Sequence, residues 1–172
     1  MKNYKSSINI KGNRITITPV KIEDSSIYFK EFNEEITKYQ FAEPFKSLDE
    51  AKSLINNFIE LRHENISEML TITDELNNFI GSVEVYNLYS EYPEVGIWIC
   101  KEKRNRGYGK EALEIIKSHL IENNDIKGLI YEADIRNEPS LKLIKKLNSL
   151  RVEYNEVTDN GKTLKLEKYI LI

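Results

Sequence analysis

The residues best suited to chemistry in this chain lie between Ile97 and Lys110, in the run IWICKEKRNRGYGK. Five basic residues (Lys101, Lys103, Arg104, Arg106 and Lys110) stand there against one acidic residue, Glu102, in a chain whose net charge is -3. Gly107 and Gly109 remove side chains where a backbone must approach a ligand closely. A helix that opens at these glycines leaves the N–H groups of its first turn without partners, and its dipole adds partial positive charge. The chemistry is that of a cradle for a phosphate or pyrophosphate. A solvated basic loop that merely caps a helix is the competing reading. Two other phosphate motifs do not fit. The P-loop needs four residues between its glycines and a following Lys-Ser/Thr. The dinucleotide fingerprint lacks its third glycine, since Ala112 holds that place.

Such a loop needs a strand to deliver it and a helix to leave it. Glu94 to Cys100 (EVGIWIC) is almost wholly apolar and reads as a central strand covered on both faces. A helix from about Gly107 to Glu122 buries Leu113, Ile116 and Leu120. Upstream, Arg14 to Val20 alternates as a strand. Asp24 is placed to cap a helix carrying Ile27, Phe29 and Phe32. Ser47 and Glu50 form a capping box before Ala51, Leu54, Ile55, Phe58 and Ile59. Met69 to Thr73 and Phe79 to Tyr86 read as strands, as does Leu129 to Ile135 downstream. Pro139 suits the first turn of a helix with Leu141, Ile144 and Leu147 on its apolar face. Strands at about Leu150 to Tyr154 and Leu164 to Leu171 flank a turn at Asp159-Asn160-Gly161. The order β-α-α-β-β-β-α-β-α-β-β predicts a mixed α/β (α+β) fold in which the strand-helix-strand unit around the loop is parallel.

Composition narrows the function. Residues 1–172 are expected to form one domain. The acidic balance disfavours nucleic acid and anionic membranes as partners. No apolar run approaches the about 20 residues of a membrane helix, and Met1 to Asn13 has no apolar core, so it is not read as a signal peptide. The single cysteine, Cys100, excludes an intramolecular disulfide, and its place at the end of an apolar strand suggests inert packing. His63 and His119 lie on separate helices without paired ligand spacing, so no metal is expected. A cytoplasmic location is the simplest expectation.

The loop resembles motif A of the GNAT acetyltransferase superfamily, Arg/Gln-x-x-Gly-x-Gly/Ala between a strand and a helix, with Arg104, Gly107 and Gly109 matching position by position. Asn137-Glu138-Pro139-Ser140 resembles the family's Asn-x-x-Ser helix start, and the early strand, the two helices after it and Glu94 to Ile99 resemble the RimJ/RimL-like branch. The resemblance implies a mostly antiparallel central sheet with helices on both faces. It also implies an N-acetyltransferase (an acyltransferase) using acetyl-CoA as co-substrate. The acceptor would be an amine: a peptide N-terminus, a polyamine or another small amine. The enzyme would be a monomer or homodimer. By position, the backbone of Ile97 and Ile99 would align the acetyl and pantetheine arm. The amides of Arg104, Asn105, Arg106, Gly107, Tyr108, Gly109 and Lys110 would hold the pyrophosphate. Asn137 and Ser140 would lie near the pantetheine and sulfur. The segments Glu34 to Leu48 and Tyr86 to Pro93 would shape the acceptor side.

Acetyl transfer needs a deprotonated amine, a polarised thioester carbonyl and a departing thiolate. Glu94, before the apolar strand, is the first candidate base, and a solvent-facing strand end is its alternative. Glu84, in the neighbouring GSVEVY strand, is the second. Ser140 is a candidate for the sulfur or for the helix cap, and Asn137 likewise for the cap. Many members place a tyrosine near position 143 or 144 to protonate the thiolate. Leu143 and Ile144 stand here, so the motif assigns no tyrosine to that role. A non-catalytic acyl-CoA-binding module is the alternative this departure leaves open.

Overall fold

The structure, a computed structural model, describes residues 8–123 and 125–172; residues 1–7 of the polar stretch Met1 to Asn13 lie outside it. In chain order the elements are β1 (Ile10–Lys11), β2 (Ile15–Pro19), α1 (Ser25–Glu31), α2 (Glu34–Thr37), α3 (Leu48–His63), β3 (Glu68–Asp74), β4 (Phe79–Tyr86), β5 (Glu94–Ile99), α4 (Tyr108–Asn123), β6 (Leu129–Asp134), α5 (Glu138–Ile144), β7 (Ser149–Asp159) and β8 (Lys162–Leu171). The strands form one eight-stranded sheet in the order β1-β2-β3-β4-β5-β6-β8-β7. Every pairing is antiparallel except β5 with β6. The predicted mixed sheet and its single parallel step are present.

Alternation along the strands sorts side chains into two layers. On one face Leu70, Ile72, Val83, Val85 and Val95 pack under Leu113, Ile116 and Leu120 of α4 and Ile144 of α5. On the other, Met69, Trp98 and Cys100 meet Tyr28 of α1 with Ile55 and Phe58 of α3. No helix among the described residues is long and apolar enough to cross a membrane.

Local signals explain most boundaries. Ser47 Oγ accepts the Glu50 amide at 3.2 Å, and the Glu50 carboxylate reaches back to the Lys46 amide at 2.6 Å. Asn160 (φ 47°) and Gly161 (φ 78°) make a two-residue turn with both φ positive, which suits the twist of a hairpin. Two expectations need correction, the cap of α1 and the end of β7. Asp24 does not cap α1: its backbone is already helical, as the last residue of a 3-10 turn begun at Ile22, and its carboxylate accepts from the Lys21 amide and the Thr71 hydroxyl. The buried residues of α1 are Ser25 and Tyr28, whereas Phe29 is 40% exposed. Strand β7 extends five residues beyond the expected Tyr154, to Asp159, because it pairs with β8 along nearly its whole length.

Glu68 lies at 0% exposure, and neither carboxylate oxygen makes a well-formed hydrogen bond among the described residues, although the Ile8 amide is near enough to pull its carboxyl down slightly. Burial pushes its carboxyl up to about 7, with Arg62 pulling partly against that. A folded-state pKa above the unfolded one gives a contribution to stability that is complete below the ordinary carboxylate range and is lost as pH rises through about 7. Glu68→Gln should therefore raise the melting temperature at pH 8 by about 5 °C, have little effect at pH 5, and flatten the thermal-shift slope between them. Glu84, which titrates in the same window, keeps some slope in the variant.

Candidate active site

The parallel pair is where the sheet opens. β5 and β6 meet only at Glu94 and Ile130, fastened by the Ile130 amide to the Pro93 carbonyl at 2.8 Å. Beyond that point they diverge. The Cys100 amide donates to Ile80 O at 2.9 Å, which fixes the phase of the β4–β5 ladder. In an antiparallel ladder successive residues face opposite edges, so the N–H and C=O of Ile97 and Ile99 turn away from β4, into the splay. A short 3-10 turn (Lys101–Lys103) then leads through the loop to α4.

Among the described residues the amides from Asn105 to Lys110 donate to no protein acceptor, and the first loop–helix bond runs from Glu111 N to Gly107 O. Asn105 (φ 60°) and Gly107 (φ 84°) supply the left-handed conformations that turn these amides outward. Gly109 serves packing as well: a Cβ there would lie 3.2 Å from Leu143 and within 3.9 Å of Ile97 and Ile99.

A residue that the motif did not mark holds this loop. Arg14, at the edge of β2, donates to Arg106 O at 2.8 Å, pairs with Glu111 at 2.8–2.9 Å, and lies over the Tyr108 ring at 5.0 Å. Its own amide also donates to Glu111. The Arg104 guanidinium turns away from the loop amides: Nε donates to Ile99 O at 3.0 Å and Nη1 reaches Glu35 of α2 at 2.6 Å. Lys101 joins the same carboxylate at 3.1 Å, and these cations hold Glu35 below the ordinary carboxylate range. Arg104 thus occupies one of the two cleft-facing carbonyls.

On α5, Asn137 Oδ1 accepts the Ser140 amide at 3.3 Å, so Asn137 is the helix cap. The Ser140 hydroxyl meets the Tyr131 hydroxyl of β6 at 2.7 Å. Tyr131 shares its sheet face with Leu129 and Ala133, a placement strand periodicity marks, but its partner nine residues on is not a sequence signal. Cys100 is buried, and burial beside Glu31 pushes its thiol up to about 12, so it remains protonated.

The opposite face holds the carboxylates. Glu84 pairs with Gly96 and Tyr86 with Glu94 across β4–β5. All four share the face that carries Trp98. Glu84 accepts from Ser82 Oγ at 2.6 Å, and Tyr28 Oη donates to Ser82 Oγ at 2.9 Å. Burial pushes the Glu84 carboxyl up to about 7, against the hydrogen bond from Ser82. Glu84 lies at the base of a cavity of ≈ 290 Å³ walled by Tyr28, Phe32, Phe58, Tyr86 and Trp98. Gln40 and Glu43 line it from the segment after α2. Of the tyrosines before β5, Tyr86 reaches the cavity, whereas Tyr89 is 66% exposed. Glu94, opposite Tyr86 in the ladder, is half-buried and does not itself line the cavity; burial and Glu132 raise its carboxyl, and Lys168 opposes them.

A sheet splayed beside an amide-lined loop, with a buried carboxylate on its other face, defines the class of N-acetyltransferases. The chain belongs to the acetyltransferase (GNAT) domain family, whose sequence signature matches residues 14–148. Over 83 residues it is 32% identical to the spermidine N(1)-acetyltransferase of Vibrio cholerae serotype O1, a stretch covering 47% of this chain and 46% of that protein. The fold is similar to that of spermidine N-acetyltransferase from Vibrio cholerae in complex with CoA and spermine (TM-score 0.81, 19% identity, 93% of this chain and 96% of that one). It is also similar to RimL, the ribosomal L7/L12 alpha-N-protein acetyltransferase (TM-score 0.85, 13% identity, 96% and 95%). At these identities the structural likeness is one of fold, and it includes the RimL-like relatives expected from the sequence.

Proposed function

We propose that this chain transfers the acetyl group of acetyl-CoA directly to an amine, with the two substrates entering from opposite faces and meeting beside Gly96 and Ile97. The observation that carries the reading is the unbroken set of amides from Asn105 to Lys110, unpaired among the described residues, next to the splayed pair β5–β6. Those amides suit a pyrophosphate, and the free backbone of Ile97 suits the thioester and pantetheine amides. Asn137, spent as a helix cap, acts by fixing Ser140.

On the other face Glu84 is assigned as the base, ahead of Glu94. It is buried, lies opposite Gly96, and titrates near neutrality, where a base is both free and strong enough to act. The ammonium gives one proton to Glu84 and the freed nitrogen attacks the carbonyl carbon. The C–S bond then breaks with its electron pair on sulfur, close to Ser140, and the second proton, acidic once the nitrogen is acylated, passes to solvent. Glu94, opposite the cavity residue Tyr86, adds negative charge that attracts the cationic acceptor. The narrow aromatic cavity and the nearby Glu43 and Glu94 favour a slender chain end carrying a positive amine. A polyamine fits this description, as does an extended peptide N-terminus.

The test is thiol release from acetyl-CoA against a panel of polyamines, small amines and N-terminal peptides, with acetyl-CoA binding measured by calorimetry. Turnover with at least one slender amine is expected. Absence of acetyl-CoA binding would sink the reading. Tight binding without turnover across the panel would make the chain an acyl-CoA-binding module.

A further inference from the structure

We infer that Tyr131 is a positioning residue for the departing thiolate: its phenol donates to Ser140 Oγ and so commits the one hydroxyl hydrogen of Ser140 to the sulfur. This rests on the reading above, in which the pantetheine occupies the splay.

The direction of the bond follows from satisfaction of donors. The two hydroxyls are 2.7 Å apart, and geometry alone allows either to donate. Tyr131 is 4% exposed, and no other acceptor meets its hydroxyl among the described residues. Were Ser140 the donor, the phenolic hydrogen would be buried and unpaired, an arrangement that costs more than a hydrogen bond contributes. With Tyr131 as donor that cost vanishes and the hydrogen of half-buried Ser140 is free. Burial also raises the phenol, so Tyr131 keeps its proton and stays a donor throughout.

Three neighbours aim that free hydrogen. Asn137 Oδ1 holds the Ser140 amide. One turn on, Leu143 packs at the Cα of Gly109, beside the Ile97 and Ile99 side chains, so this face of α5 is turned to the splay. Tyr131 sits on β6, the other wall of that splay. No proton needs to move along the pair. The thiolate leaves with the C–S electron pair and is held by the Ser140 hydroxyl as a charge-assisted acceptor, whereas the family resemblance gives a tyrosine near position 143 the task of protonating it. Leu143 and Ile144 are apolar here, and the Ser140 hydroxyl, held by Tyr131 of β6, stands on the preceding turn of the same helix.

The experiment pairs a binding titration with a mutant cycle. CoA bound to the wild type, to Tyr131→Phe and to Ser140→Ala is titrated with alkali while thiolate absorbance is followed. The thiolate should form about one pH unit higher in both variants than in the wild type, because one charge-assisted donor is lost or misdirected. In turnover, each single variant should lose about tenfold in kcat with little change in the KM for acetyl-CoA, and the double variant should lose no more than Ser140→Ala alone. Identical thiol titrations in all three proteins would overturn the inference, as would an additive double variant. A wild type that binds no CoA overturns the reading of the splay and the inference with it; CoA binding with unshifted titrations overturns the inference alone. Tyr131→Phe keeps the buried ring, and if it fails to fold, Ser140→Ala still decides the titration.

Discussion

Glu84→Gln should lower kcat by about 10²–10³-fold while changing the KM for acetyl-CoA by no more than about twofold. The amide is nearly isosteric, and it can still accept from Ser82, so the Tyr28–Ser82–Glu84 chain of hydrogen bonds keeps its shape. What is lost is the basic oxygen. The pH profile carries the sign. A carboxyl raised to about 7 is neutral below that pH and cannot take a proton; above it the carboxylate is free. In the wild type, kcat with a saturating amine should climb as pH rises through about 7 and then level. In the variant the climb should disappear. Glu94→Gln is the contrast: half-buried beside Glu132 and Lys168, it should raise the KM for a cationic amine and leave the climb in place. A climb that survives in Glu84→Gln and vanishes in Glu94→Gln would return the base to the residue that the sequence favoured.

That reversal of order between the two carboxylates illustrates what sequence can convey. Glu94 drew notice because it stands at the start of an apolar strand, where a charged residue is visible. Glu84 is hidden inside GSVEVY, a run that reads as buried sheet. Strand parity does place Glu84 and Glu94 on one face, but only the register, with Glu84 opposite Gly96, shows that a residue without a side chain leaves room above that carboxylate. Likewise the cavity walls come from α1, α3, β4 and β5, and no spacing along the chain brings Tyr28 to Ser82.

The loop was legible for the opposite reason. Its chemistry is local: strand, basic turn, glycines and helix follow one another, and the proposed function belongs to backbone amides whatever the side chains do. The family signature repeats that same local pattern. Side-chain direction is less accessible. Arg104 matches the motif by position, yet its guanidinium holds Ile99 O and Glu35. The arginine that braces the loop is Arg14, whose partner Glu111 lies 97 residues away. The Tyr131–Ser140 pair combines both cases, since each residue's face follows from periodicity and their meeting follows only from the packing of α5 on β6.

Gly107→Val should raise the KM for acetyl-CoA by about 30-fold, corresponding to about 2 kcal/mol, with a small effect on kcat at saturation. Gly107 has φ 84°, where a β-branched residue is strained, and its Cβ would come within 3.2 Å of Arg14 Nη2. Relief requires the loop to rotate or Arg14 to withdraw, and Arg14 also holds Arg106 O and Glu111. Either movement scatters the amides proposed to hold the pyrophosphate. Those amides lie far along the cofactor from the reacting carbonyl, so they bind the ground state and transition state alike, and their loss belongs in KM. The control is Gly161→Val in the β7–β8 turn. Its φ of 78° imposes a similar backbone strain, and nothing lies within 4 Å of its Cβ. That variant should lower the melting temperature about as much as Gly107→Val does and leave the KM for acetyl-CoA unchanged. Equal KM changes in the two variants would assign the effect to global loosening, and no change in either would remove the pyrophosphate from the loop; only the split expected here ties left-handed Gly107 to the cofactor.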